Sequence, residues 1–508
     1  MSVPMPRVTY CIALCVVALF AAVLAACGGG ATLPGVQGPP QKSTMPPPSL
    51  ANVTLVSADP FTNTTSQHAT ELEPSMASFG SMIVATFQSG RFFTAGSSDI
   101  GFATSLNGGA TWLSGFLPGT TSYTTPAGIF DSVSDPVVAY DAAHGVWLIS
   151  SLPVVFSSAL TPAALVSRSS DGIHWSAPVA VAAGQISSDK EWIACDDTSS
   201  SPYYGHCYLQ WDDPSANGTI HVSRSHDGGL TWSTPANTGG NANGIAGQPL
   251  VQPNGTVIIP IDDYFEANVI AFASHDGGAS WTTPITVAPI INHFEGGDLR
   301  SGPLPSGAMD ASGRVYLVWQ DCRFRAGCAS NDLVMSSTLD GTIWNAPVRI
   351  PLDPRTSAVD HFIPGLSVAP GTSGATAQLG LSFYTYANTS CTSTSCLLSV
   401  GYSTSHDGGA SWSAPVTIVG PMSPSWLADT DQGLMVGDYM ASTIVGRQPL
   451  AVFAVAQPAP GAALNEAMYV SKLGVLPARA LSLSYRRTLS ELPVPGVRSD
   501  RRGRLRPP

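Results

Sequence analysis

The sequence is short of charge. Asp, Glu, Lys and Arg make up 11% of its 508 residues, against about 25% in an average globular protein. Only three of its 22 basic residues are lysine. Coiled coils and large helical bundles need Lys, Glu and Ala in helical periods, so this scarcity excludes both. After residue 26 no apolar run approaches the roughly 20 residues that a membrane-spanning helix needs. No Gly-x-Ser-x-Gly stands in a strand–turn–helix context, which removes a hydrolase built on a nucleophile elbow. No cysteine pair has a histidine at metal-ligand spacing, and no contiguous calcium-loop pattern occurs. No cofactor and no metal are therefore expected.

What is present is turn chemistry and aromatic bulk. Gly (50) and Pro (42) together are about 18% of the chain, the apolar fraction is 44%, and 11 Trp, 14 Tyr and 17 Phe are available to fill a core. Disorder throughout is excluded by that apolar content. The composition reads as an all-β, turn-rich fold.

The first 27 residues read as a targeting segment rather than structure. Arg7 supplies a short positive region, Cys11 to Ala26 is an apolar run of 16, and the run ends in Leu24-Ala25-Ala26-Cys27. This ending resembles a bacterial lipoprotein signal, which implies lipidation at Cys27 and export with an N-terminal lipid anchor in the membrane. Residues 28–50 are Gly/Pro-rich and suit a tether. Residues 51–475 form the body. Residues 476–508 read as a disordered basic tail, with eight Arg against Glu491 and Asp500. With both basic ends set aside, the body carries −19 of a chain total of −12. A body so acidic argues against nucleic-acid binding.

Six cysteines remain in the body, in close pairs: Cys195 with Cys207, Cys322 with Cys328, and Cys391 with Cys396. An even count, export and short spacings favour three local disulfides.

One motif recurs six times. Ser105-Leu-Asn107-Gly-Gly109-Ala-Thr111-Trp112 is repeated in plan at Ser225–Trp232, Ser274–Trp281 and Ser405–Trp412, and one residue shorter at Ser169–Trp175 and Thr338–Trp344. The Asx side chain accepts nearby N–H groups, Gly supplies a positive φ, and Trp opens the next strand with a large apolar face. The motif resembles the Asp-box, or BNR repeat, of sialidase-like β-propellers. The resemblance spans roughly residues 51–473. It implies four-stranded blades around a channel, with the box between the third and fourth strands. Counting candidate inner strands gives seven blades, with six as the alternative. The last is a boxless unit with strands near 434–444, 450–456 and 467–472, completed by residues 52–57.

In such blades the start of strand one and the end of strand two share a face, and the boxes lie on the other. Carboxylates, arginines and aromatics converge on the first face, a mixture suited to a glycan or polysaccharide. Sialidases hold a carboxylate with three arginines and use a tyrosine nucleophile with carboxylic partners. By position, the resemblance implies Arg91, Arg300 and Arg323 as the arginine cluster, with Arg325 beside it in the same cysteine loop. It implies Tyr439 beside Asp438 as nucleophile, and Glu73 or Asp135 as base or acid. Trp211, Trp319, Asp321 and Tyr384 are expected to contact sugar. The only Arg-Ile-Pro, Arg349–Pro351, follows the fifth box instead of marking the first blade, which departs from the family pattern. The leading expectation is a sialidase-like propeller acting on extracellular glycans, in the manner of an exo-glycosidase. A non-catalytic glycan- or protein-binding propeller is the alternative. A Ca²⁺- or Mg²⁺-dependent lyase or hydrolase using Asp212, Asp262, Asp263 and Asp321 is a third.

Overall fold

The computed structural model describes residues 42–157, 160–184 and 188–474. Cys27 and residues 476–508, which carry the lipidation and basic-tail expectations, lie outside them. Apart from short 3-10 turns the described chain is β-structure in antiparallel sheets.

Four-stranded units follow one another along the chain. The first has strands Glu71–Phe79, Met82–Arg91, Ser97–Ser105 and Leu113–Phe116; the second has Ser132–Asp141, Val146–Val154, Ala164–Ser169 and Val179–Val181. A single pairing, Ser97 with Val133, joins these two into one eight-stranded sheet. The third unit runs Asp189–Cys195, Cys207–Asp213, Thr219–Ser225 and Ala236–Asn237. In the fourth, the innermost strand is split into Gly244–Ile245 and Leu250–Val251, followed by Val257–Asp263, Asn268–Ser274 and Ile285–Pro289. The fifth comprises Ser306–Met309, Val315–Asp321, Asp332–Thr338 and Val348–Arg349, and the sixth Asp360–Val368, Leu379–Tyr386, Leu398–Ser405 and Val416–Met422.

The seventh unit is assembled from both ends of the body. Ala441–Val445, Gln448–Ala456 and Glu466–Ser471 are joined by Val53–Leu55, which pairs antiparallel with the last of them. The apolar stretch 434–444 does not form one strand as expected. Gly433–Met435 pairs with Ala428–Thr430 in a separate hairpin, and Gly437, at φ +118°, lies between that hairpin and Ala441. The first strand of each unit packs beside that of the next, and that of the seventh packs beside that of the first.

Hydrophobic clusters fill the seams between successive units. Trp211 lies in the seam of the second and third units, and Trp319 in that of the fourth and fifth. Each such side chain, fully buried, contributes on the order of 2–3 kcal/mol. Residues 43–50, read as tether, are partly docked on this body. Met45 and Leu50 pack against the largest cluster, and Trp426 Nε1 donates to the Ser43 carbonyl at 3.3 Å.

All six motif repeats form a turn closed on the Asx side chain, one residue tighter in the two shorter copies. In the third unit Ser225 Oγ donates to Asp227 Oδ1 at 2.9 Å, while the N–H groups of Leu230 and Thr231 donate to that oxygen at 3.0 and 2.9 Å. Burial opposes ionisation here, but hydrogen bonds from Thr231 and Ser225 bring the Asp227 carboxyl down to about 2. The turns also touch the preceding unit. A Cβ on Gly278 (φ +78°) would stand 2.9 Å from Tyr208 of the third unit, and Arg224 donates to the Gly277 carbonyl at 2.9 Å. The three disulfides pair as expected, Cys195–Cys207, Cys322–Cys328 and Cys391–Cys396.

Candidate functional site

Register places the first-strand starts and second-strand ends together. Glu71 pairs with Ser89, Asp189 with Asp212, and Asp360 with Tyr386. The motif turns lie at the opposite end, where Ser105 pairs with Ile83 and Ser225 with Cys207.

Four first strands carry a bulge near their start, between Leu72 and Ser75, Ser134 and Val137, Asp189 and Trp192, and Phe362 and Gly365. At each, a residue other than glycine takes a left-handed backbone: Glu73 (φ 59°), Asp135 (50°), Lys190 (45°) and Ile363 (47°). Such a conformation costs on the order of 1–3 kcal/mol and persists only where surroundings impose it. Here the charged three meet. Lys190 Nζ stands 2.9 Å from Asp135, 2.8 Å from Asp438, 3.7 Å from Asp189 and 3.9 Å from Glu73. Arg300 grips Asp438 with two nitrogens, Nε at 2.8 Å from Oδ1 and Nη2 on Oδ2. Gln88 Nε2 donates to Glu73.

The cluster is buried except at Asp189, whose side chain is 40% exposed. Burial, reinforced by Asp135, pushes the Glu73 carboxyl up to about 8. Burial works against ionisation of Asp438 too, but Arg300 and Lys190 hold it well below the usual carboxylate range. Asp135 is likewise held low against its burial by Lys190. Glu73 is thus raised beside two carboxyls, Asp135 and Asp438, that are held low.

The structure brings Glu73, Asp135, Asp438 and Arg300 together with Arg91 within electrostatic reach of all four, and leaves Arg323 of the expected arginine trio elsewhere. Arg91 is buried, donating through Nη1 to the Gly96 carbonyl at 2.7 Å. Arg323 is held by Asp321 at 2.8 and 2.6 Å, and that carboxylate also accepts Ile291 N–H and Trp319 Nε1. Arg325 is fully engaged by Asp332, Asp353 and the carbonyls of Pro354 and Ser357. Tyr439 has Glu73 and Glu191 near it, but its hydroxyl is directed to a backbone carbonyl instead of to either carboxyl. Its hydroxyl donates to the Pro136 carbonyl at 3.3 Å, and burial, then Glu73, raises its pKa well above the usual value. Trp211, Trp319 and Tyr384 offer no face to a sugar, because all three are fully buried and Tyr384 donates to the Ala454 carbonyl.

Other groups occupy this end. Among the described residues seven exposed aromatic rings are Phe79, Phe93, Phe156, Tyr204, Tyr264, Phe265 and Phe294. Five of them (Phe93, Phe156, Tyr264, Phe265 and Phe294) stand on loops that follow second strands or precede first strands, at the end that carries the cluster. A cleft of about 300 Å³ is lined there by Ser134, Thr161, Ser188 and Asp189 among others. The sequence places Lys190 at a first-strand start on this face without giving it a role, and the exposed aromatics are not read from it at all. Its rarity is the signal for Lys190, since Lys42 and Lys472 are the only other lysines.

No protein-family model and no curated protein matches the chain. Among solved structures it is similar to a Hadza microbial sialidase, Hz136, at 16% identity and a TM-score of 0.40, covering 80% of this chain and 68% of that one. A polysaccharide lyase of family PL25, an ulvan lyase, is matched at 12% identity and a TM-score of 0.47, over 83% of this chain and 97% of that one. A protein of unknown function from Dyadobacter fermentans is matched at 13% identity and a TM-score of 0.41, over 84% and 99%.

Proposed function

We propose that the chain is a seven-bladed Asp-box propeller that binds extracellular glycans across the end where its first strands begin. The seven four-stranded units supply the blades. The packing of the seventh unit's first strand beside that of the first unit, together with the Val53–Leu55 pairing, supports a closed ring. Lipidation at Cys27 would hold the propeller on the cell envelope, and the acidic body makes nucleic acid a poor partner.

The observation that carries the glycan reading is the presence of five exposed aromatic rings on loops at this end. An aromatic ring offers a sugar a large, rigid apolar face at small entropic cost. At the same end a cleft lined by Asp189, Ser134, Thr161 and Ser188 supplies polar groups. Recognition without turnover is favoured by the central cluster, where Lys190 and Arg300 are engaged by Asp135 and Asp438. Exo-glycosidase action is a second reading. It is favoured by Glu73, pushed up to about 8 beside carboxylates held low, the division of roles that acid–base hydrolysis needs.

A glycan array probed with the purified chain tests the proposal. Binding should fall about tenfold when Phe265 and Phe294 are replaced by Ala, the equivalent of ~1.4 kcal/mol. Absence of binding to any glycan, or binding indifferent to both rings, would refute it. Release of fluorophore from a panel of glycosides, lost in Glu73→Gln and Asp189→Asn, would establish the second reading instead. A lipoprotein signal-peptidase inhibitor should make the uncleaved precursor accumulate, and normal processing would remove the anchor.

A further inference from the structure

A second cleft, of about 400 Å³, opens at the seam of the fifth and sixth units. Its floor is one face of the sixth unit's sheet, and its wall is the segment linking the two units, which carries Leu352, Asp353 and Val359. Leu397 (36% exposed) and Val416 (51% exposed) form an apolar collar.

One corner is polar and unsatisfied. His361 is 3% exposed, lines the cleft, and its Nδ1 has no hydrogen-bond partner. Asp353 Oδ2 is also buried without a partner. Ligating atoms of His361, Asp353 and Asp332 all lie within 4.8 Å of one another. Buried polar atoms in native proteins are nearly always paired, so two orphans in one corner of a cleft mark a place for a ligand's hydrogen-bonding groups.

The charges around that corner define the ligand. Arg325 and Arg349 both reach Asp332 and Asp353, at 2.6 to 2.7 Å. Two guanidiniums thus neutralise two carboxylates and occupy the position from which a metal ion would draw its ligands. Burial brings His361 down to about 4, so the imidazole is neutral at physiological pH. The corner therefore carries no net charge and offers acceptors, Asp353 Oδ2 and, with the imidazole proton on Nε2, His361 Nδ1. A neutral molecule with hydroxyl donors on one edge and C–H surface elsewhere is complementary to it.

We propose that this cleft is a separate saccharide site, in which Asp353 and His361 accept hydroxyls of one neutral pyranose and the Leu397–Val416 collar covers its C–H face. The choice of a sugar over another neutral hydroxyl-bearing molecule rests on the glycan reading above; the cleft's geometry does not.

The test follows the His361 side-chain resonance in the histidine-labelled full chain. The probes are methyl glycosides of glucose, galactose, mannose and N-acetylglucosamine, with sialic acid, glucosamine and zinc as charged controls. A saturable shift at millimolar concentration with at least one neutral glycoside, and none with the controls, is expected. Val416→Arg and Leu397→Arg, both on exposed positions, should each weaken it about tenfold. Phe265→Ala should leave it unchanged, so that failure of the aromatic mouth and failure of this cleft are read separately. No shift with any neutral glycoside, a shift indifferent to both collar variants, or a response to zinc alone would overturn the proposal.

Discussion

Lys190 Nζ stands 2.8 Å from Asp438 Oδ2, a contact that ties the third unit to the segment entering the seventh. With Asp135 of the second unit on the same ammonium, one side chain joins three separate parts of the chain.

Replacing Lys190 by Met should destabilise the protein by about 3–5 kcal/mol, because it leaves buried carboxylates without their cation. Urea unfolding measures this. Adding Asp135→Asn should restore part of the loss, since the two groups interact directly. A loss under about 1 kcal/mol would mean that water already solvates the cluster.

Glu71 should make stability fall as pH rises. Burial pushes its carboxyl up to about 8, opposed by the hydrogen bond from Ser57, while an unfolded glutamate titrates near about 4.3. Between these values the native state holds a proton that the unfolded state has lost, so unfolding gains with each step in pH. Glu71→Gln should make the stability profile between pH 5 and 8 less steep, while Glu73 and Asp360, also raised to about 8, keep the rest of the slope. An unchanged slope would place the titration elsewhere.

The motif aspartates should act in the opposite sense. Asp227 and Asp276 are each brought down to about 2 by their turns, against the effect of burial. Their contribution is complete above the unfolded value near about 4 and is lost as pH falls toward 2. Asp227→Asn should therefore lower stability at pH 6 and shrink the decline between pH 4 and 2, as followed by circular dichroism on acid titration.

Gly278→Ala should cost on the order of 1–3 kcal/mol. The new Cβ meets a positive φ and approaches Tyr208 to 2.9 Å. Thermal unfolding of this variant beside Gly446→Ala, where nothing lies within 4 Å and φ is +61°, separates the contact from the backbone strain.

The parts of the fold legible in the sequence are those set by local chemistry. The motif turns depend on Ser, Asx and Gly within eight residues, and the disulfides close loops of 5 to 12 residues. The starts of the first strands could be read because Glu73 and Asp135 each precede a proline. The direction in which side chains point was harder to read. In a strand one residue of slip exchanges the faces, and Trp211, Trp319 and Tyr384 fall on the inward side. The fates of Arg323 and Arg325 depend on partners supplied by neighbouring residues and by another strand. Asp321 and Asp332 take up guanidiniums that position alone would direct toward a ligand. The aromatic tips belong to irregular loops, which have no repeat to announce them.

The pairing of Val53–Leu55 with Glu466–Ser471 also has a temporal consequence. Translation delivers the early strand long before its partner, so it must wait while every intervening unit is made. Until Glu466–Ser471 emerges, the waiting strand has no native neighbour, and afterwards the last sheet still has an open edge until the two meet, a template for pairing with another molecule. Assembly is therefore committed at its final step, and a chain halted before Glu466 could carry six well-formed units and still lack the seam that joins its beginning to its end.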